Sequence, residues 1–186
     1  MCLTGQVHGI LYADENGRAA GPFYTWQDRR GRKKAPGGGT DWVTLIQEKS
    51  GYTVPAGYGM LTHLINRTEG KFPGNAVSMT TILDYLGMRL TGNRRPVTDP
   101  TNAHSLGLYD LQHRSFFSDA LQLLDIDSAL LPEIVPVGTR IGSTAEGIPV
   151  FTAVGDNQAG FAGTVAHRES TILLNIGTSA QLTVYA

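Results

Sequence analysis

The stretch Gly147-Ile148-Pro149-Val150-Phe151-Thr152-Ala153-Val154-Gly155-Asp156-Asn157-Gln158-Ala159-Gly160 constrains this chain more than any other. An apolar run with two β-branched valines reads as a buried strand over Ile148 to Val154. The small residues after it read as a helix over Asn157 to Val165. One carboxylate, Asp156, stands at the junction, the end of a strand where α/β folds commonly carry ligand groups. Further on, the β-branched segments Thr171 to Ile176 and Gln181 to Tyr185 flank Gly177-Thr178-Ser179, a turn able to offer backbone N–H groups to an anion. A carboxylate facing a small-residue anion cradle has the parts that phosphoryl transfer to a hydroxyl needs. One group takes the proton and the other holds phosphate.

The remaining pattern gives an α/β chain. Strands are expected at Cys2-Leu3 and Ile10 to Ala13, with Asp14-Glu15-Asn16-Gly17 as a hairpin tip. Helices are expected over Asp41 to Ser50, capped by Thr40 or Asp41 and closed by Gly51, and over Met60 to Asn66, Ala76 to Leu90 and Ser115 to Leu124. Asp28 to Gly39, Asp99 to Leu108 and the Pro-broken Leu131 to Gly142 are expected to be irregular or extended. At 186 residues there is room for one sizeable core, or for one domain and a piece of another.

Composition narrows the partners. A net charge of −1 gives no electrostatic case for nucleic acid or an anionic membrane. The basic group Arg29, Arg30, Arg32, Lys33 and Lys34 reads as a solvated loop. One cysteine, Cys2, excludes an internal disulfide and suits a reducing cytoplasm. No apolar run approaches the roughly 18 residues of a membrane span, and the N-terminus lacks a basic-then-apolar signal pattern. Cys2, His63, His104, His113 and His167 show no ligand spacing, so no protein-held metal is expected.

Six motifs then carry a resemblance. They are TGQVHG (4–9), WQDRRG (26–31), TDPTNA (98–103), LPEIVPVGTRIG (131–142), GDNQA (155–159) and IGTS (176–179), in this order. Together they resemble the FGGY carbohydrate kinases over nearly the whole chain. The resemblance implies a ribonuclease-H-like (actin-like ATPase) α/β fold. It further implies a sugar-binding first domain over 1–166 that lacks the family's first phosphate hairpin, and the first strand pair of a nucleotide-binding second domain over 167–186. A chain so divided is expected to be a poor kinase by itself. YTWQDRRG, GYGMLTHLINRTEGKFP and TDPTNAHSLGLYDL are similar to the branch acting on a seven-carbon ketose; the Lys-Leu-x-Trp helix usual in the xylulose and glycerol branches is missing.

By the same resemblance ATP and Mg²⁺ are the cofactors and a small sugar is the partner. Asp156 is the general base, Gln6, His8, Trp26, Asp28, Asn102 and Asn157 touch the sugar, and Gly177, Thr178 and Ser179 touch phosphate. Each residue has a plainer alternative. Asp156 could cap a helix, with Gln158 in the same service, and His8 and Trp26 could be core residues. Asn102 could serve its turn, and the Gly177 turn could be a simple hairpin. Arg30 is expected to order its loop through an ion pair. A non-catalytic sugar-binding module, another branch of the family, and a monomer or homodimer all stay open.

Overall fold

In the computed structural model, which describes residues 1–176 and 180–185, helices and short strands alternate. The first strands are β1 (Thr4–Gly5) and β2 (Leu11–Ala13). They are followed by α1 (Trp42–Ser50), α2 (Gly59–Thr68), β3 (Ser78–Thr80) and α3 (Ile82–Thr91). Next come β4 (Val97–Thr98), α4 (Pro100–Leu106), β5 (Tyr109–Asp110), β6 (Ser115–Phe116) and α5 (Ser118–Leu123). The final part runs β7 (Glu133–Ile134), β8 (Arg140–Ser143), β9 (Pro149–Phe151), β10 (Val154–Gly155), α6 (Asp156–Thr164), β11 (Leu173–Ile176) and β12 (Ala180–Thr183).

Two parallel pairs organise the chain: β1 beside β10, and β4 beside β7. The first sets Gly5 opposite Gly155, so that both strands leave the pair at the same end. The antiparallel pairs are β2 with β3, β5 with β6, β8 with β9 and β11 with β12. The core lies where β2, α1, α2, α4 and α5 meet, around Ile10, Tyr12, Ile46, Met60, Leu61, Ile65, Leu106 and Leu121. Gly59 admits α2 to that core, because a Cβ there would stand 2.6 Å from Ile10 Cγ2 and 2.7 Å from Leu106 Cδ2.

Local chemistry sets the helix ends. Asp41 accepts the Thr44 N–H at 2.9 Å and Gly51 closes α1 at φ 77°. Thr81 accepts the Asp84 N–H to start α3, and Gly92 closes it at φ 76°. Five expectations need correction. Residues 76–90 do not form one helix: Ser78–Thr80 pairs with Leu11–Ala13, and the helix starts only after the Thr81 cap. The expected loop Asp99 to Leu108 is mostly helix, because Asp99 caps it and Pro100 occupies its first turn, where no N–H is needed. The helix expected from Ser115 starts at Ser118, since Ser115–Phe116 pairs with β5. The strand expected at Cys2-Leu3 is registered at Thr4–Gly5, and the run 148–154 divides between β9 and β10, which pair with different partners. Among the described residues no helix is long and apolar enough to cross a membrane.

Candidate active site

Parallel strands bring their carboxyl ends to one place, and ligand groups in α/β folds collect there. After β1 the chain carries Gln6, Val7 and His8. After β10 it carries Asp156 and Asn157. These five residues, with Trp26 from the next loop, line a cavity of about 210 Å³. Five residues expected at the sugar or at the chemistry (Gln6, His8, Trp26, Asp156 and Asn157) are thus assembled from three segments far apart in sequence.

Asp156 is the first residue of α6, while Gly155 is the N-cap and makes no side-chain cap bond. The plain capping alternative for Asp156 therefore does not describe it. Its carboxylate is solvent-exposed, and Oδ1 accepts the N–H of Asn157 at 2.8 Å. A carboxylate in the first turn of a helix is favoured by the partial positive charge there.

His8 is held on two sides. Its ring stacks on Tyr58, with centroids 4.1 Å apart and planes 25° apart, and Nδ1 lies 3.2 Å from the Ser105 carbonyl. A carbonyl only accepts, so the proton sits on Nδ1 and Nε2 of the neutral ring is an acceptor. Burial lowers the His8 pKa, opposed by the Ser105 bond and by the negative charge of Asp156. The ring is thus kept neutral near pH 7, with an acceptor for a hydroxyl hydrogen. His8 also has φ 72°, a left-handed backbone that costs a non-glycine residue about 1–3 kcal/mol and is commonly stored at functional sites.

Trp26 is not a core residue. It is 54% exposed and stands between the small cavity and a wider one of about 690 Å³ lined also by Gln27, Asp28, Arg29, Arg32, Pro55 and Ala56. Gly57 holds the Trp26 backbone close, at φ 89°, and a Cβ there would lie 2.2 Å from the Trp26 carbonyl oxygen. Gly57→Ala is accordingly expected to displace Trp26 and to destabilise the chain by about 1–3 kcal/mol. A shifted Trp26 emission maximum in a Trp42→Phe background, together with a lower unfolding midpoint, checks this.

Two residues expected at the sugar, Asp28 and Asn102, do not line the small cavity. Both carboxylate oxygens of Asp28 bind the Arg30 guanidinium, Nε at 3.1 and 3.0 Å and Nη2 at 2.6 Å. Burial pushes Asp28 up, but the Arg30 bonds and charge outweigh it, and the net shift is downward. Arg30 also reaches Glu69 and Asn66 and lies over the Tyr24 ring. Asp28 thus orders the loop that presents Trp26, and with Trp26 it lines the wider cavity. Asn102 is fully buried in α4, where its Nδ2 donates to the Ala153 carbonyl at 3.0 Å, and it does not line the cavity. Gly177, Thr178 and Ser179 lie outside the described residues. Tyr58 and Ser105 were not anticipated: the His8–Ser105 contact spans 97 residues, and no local pattern announces it. Among the described residues no group of three or more His, Cys, Asp or Glu could hold a metal ion.

A strand-end carboxylate thus stands beside amide, imidazole and indole groups in one cavity, a set that can exchange hydrogen bonds with hydroxyls. Residues 1–163 match the N-terminal domain of the FGGY family of carbohydrate kinases, and the chain belongs to that family. It is 30% identical over 203 residues to the sedoheptulokinase of Homo sapiens, covering 97% of this chain and 41% of that one. It is 27% identical over 184 residues to a glycerol kinase of Xanthobacter autotrophicus, covering 91% of this chain and 36% of the relative. The crystal structure of xylulose kinase from Rhodospirillum rubrum shares the fold, with a TM-score of 0.76 and 23% identity, over 98% of this chain and 40% of that one. The fold is therefore the ribonuclease-H-like α/β fold that the motifs implied. The chain spans about two fifths of the length of these relatives.

Proposed function

We propose that this chain carries the sugar-binding part of an ATP-dependent carbohydrate kinase that moves the γ-phosphoryl group to a primary hydroxyl of a ketose, with sedoheptulose as the preferred ketose. The observation that carries this reading is the convergence of Gln6, His8, Trp26, Asp156 and Asn157 on one cavity at the ends of β1 and β10. The preference for a seven-carbon ketose is supported by the 30% identity to sedoheptulokinase and by the motifs around Trp26 and Gly57.

In this reading Trp26 stacks on the C–H face of the sugar. Gln6 and Asn157 exchange hydrogen bonds with its hydroxyls, and His8 Nε2 accepts one. Asp156 takes the proton of the attacking hydroxyl as its oxygen bonds to the γ-phosphorus and the bond to the ADP oxygen breaks. Mg²⁺ would arrive with the nucleotide, bridging its phosphate oxygens as is usual in phosphoryl transfer. The match over 1–163 supports a domain division near 166, with Gly177, Thr178 and Ser179 as phosphate contacts in the following segment. A cytoplasmic location fits the single free cysteine; a homodimer is compatible with the same reading.

The test is a titration of sedoheptulose, xylulose and glycerol against Trp26 fluorescence in the Trp42→Phe background. An open site with few hydrogen bonds is expected to bind no tighter than about millimolar, near −4 kcal/mol, with sedoheptulose ahead of the others. An equal response to all three removes the ketose preference. No response from a chain shown to be folded removes the sugar site.

A further inference from the structure

In the segment Thr98 to Ala103, the side chains of Thr101 and Asn102 bond to the backbone that leads into Asp156. Thr101 Oγ1 accepts the N–H of Gly155 at 2.8 Å and donates to Asp99 Oδ1 at 2.7 Å. Asp99 Oδ1 also accepts the Asn102 N–H at 3.0 Å, which makes it the cap of α4. One residue along, Asn102 Nδ2 donates to the carbonyl of Ala153 at 3.0 Å. Two side chains from the first turn of α4 thus grip the backbone on either side of Val154, immediately before Asp156. On the other edge β10 is fixed by its pairing with β1, where the Val154 N–H donates to the Leu3 carbonyl at 3.0 Å.

Gly155 has no space for a side chain. A Cβ there would lie 2.7 Å from Gln158 Oε1, 3.2 Å from Val7 Cγ1 and 3.4 Å from Thr101 Oγ1. The peptide that aims Asp156 is therefore enclosed by Val7 just after β1, by α4 and by the first turn of α6. A buried polar group that loses its partner is costly, so such a grip is either complete or disruptive. A carboxylate acting as a base has to be held within a fraction of an ångström of its working position, which needs supporting contacts of this sort.

We propose that Thr101 and Asn102 are positioning residues for Asp156: they act through the backbone of β10 and the N-cap of α6, and neither touches sugar. This deepens the sugar-site reading and rests on it. It also accounts for Asn102 being buried.

Thr101→Val keeps the shape and removes the hydroxyl; Thr101→Ser keeps the hydroxyl. Thr98→Val is the control, since Thr98 is more deeply buried than the half-buried Thr101 but its Oγ1 donates to Asp84 and not to β10. Native-state amide exchange of the full chain by NMR is expected to show the Gly155 amide at least about tenfold faster in Thr101→Val. Thr101→Ser should stay within about twofold of wild type, and Thr98→Val should leave Gly155 no faster than its neighbours. In the Trp26 titration, Thr101→Val should weaken ketose binding at least about threefold, with Thr101→Ser restoring it. Should Thr101→Val fail to fold, Thr101→Ala and Asn102→Ser serve the same comparison with less crowding. Unchanged exchange at Gly155 in Thr101→Val, or an equal rise in Thr98→Val, would overturn the clamp. A wild-type chain that binds no ketose would overturn the sugar site instead, and the exchange comparison would still decide the clamp.

Discussion

Asp156→Asn is expected to lower phosphoryl transfer about a thousandfold in any form of the protein that turns over, while changing ketose affinity by no more than about twofold. The carboxamide keeps the shape and an oxygen to accept the Asn157 N–H, seen at 2.8 Å, so the first turn of α6 should be undisturbed. What it loses is the capacity to accept a proton, and a positioned base contributes typically 10²–10⁴-fold. The split between the two readouts is the informative part. A residue that only shaped the cavity would weaken binding and turnover together; a base lowers kcat and leaves binding alone. A fall of tenfold or less, about 1.4 kcal/mol, would show that Asp156 does not accept the proton in the rate-limiting step. Because Gly155 and not Asp156 is the N-cap, a small loss could not be ascribed to a broken helix cap.

The parts of this site that are local in sequence are legible there. A strand that ends in Gly-Asp before a run of small residues sets a carboxylate at a strand end, and Asp156 is found there. Asp41 and Gly51 mark the ends of α1 by ordinary capping chemistry. Most of the misreadings share one cause, which is partners distant in sequence. Ser78-Met79-Thr80 looks like the first turn of the helix that follows it, and only Leu11–Ala13, brought alongside by the fold, makes it a strand. Asp28 looks like a free ligand until Arg30, held from the far side by Asn66 and Glu69, turns its fork onto both oxygens. Asp99-Pro100 is different, because its signal was local: a capping Asp followed by Pro begins a helix as readily as it breaks one. Tyr58 and Ser105 left no signal, since their contact with His8 exists only in the folded chain.

The acid side of the stability profile should be governed by two buried groups with opposite signs. Asp84 on α3 is raised to about 7, first by burial and further by the nearby charge of Asp99, against the Thr98 and Thr81 bonds. Its Oδ2 already accepts both hydroxyls, at 2.7 and 2.8 Å, so the proton it keeps belongs on Oδ1, which has no partner. His63 on α2 is lowered to about 4, first by burial and then by the charge of Arg67. A carboxyl that holds its proton more tightly when folded contributes stability that is full below its unfolded value of 3.8 and is lost as pH rises toward 7. A histidine held neutral contributes stability that is full above 6.5 and is lost as pH falls toward 4. Between about 4 and 6.5 the two slopes oppose each other, and the wild-type profile is flattened. Asp84→Asn removes one of them. The stability of this variant minus that of wild type should then rise with pH by up to about 1.4 kcal/mol per unit, reaching a few kcal/mol and levelling above about 7.5. His63→Gln should give a difference that grows in the other direction, as pH falls from 6.5. Urea unfolding midpoints at half-unit steps from pH 4.5 to 8 measure both. A flat Asp84→Asn difference across that range would mean that the carboxyl ionises normally, with water or a cation reaching Oδ1 at the junction of α3 and β4.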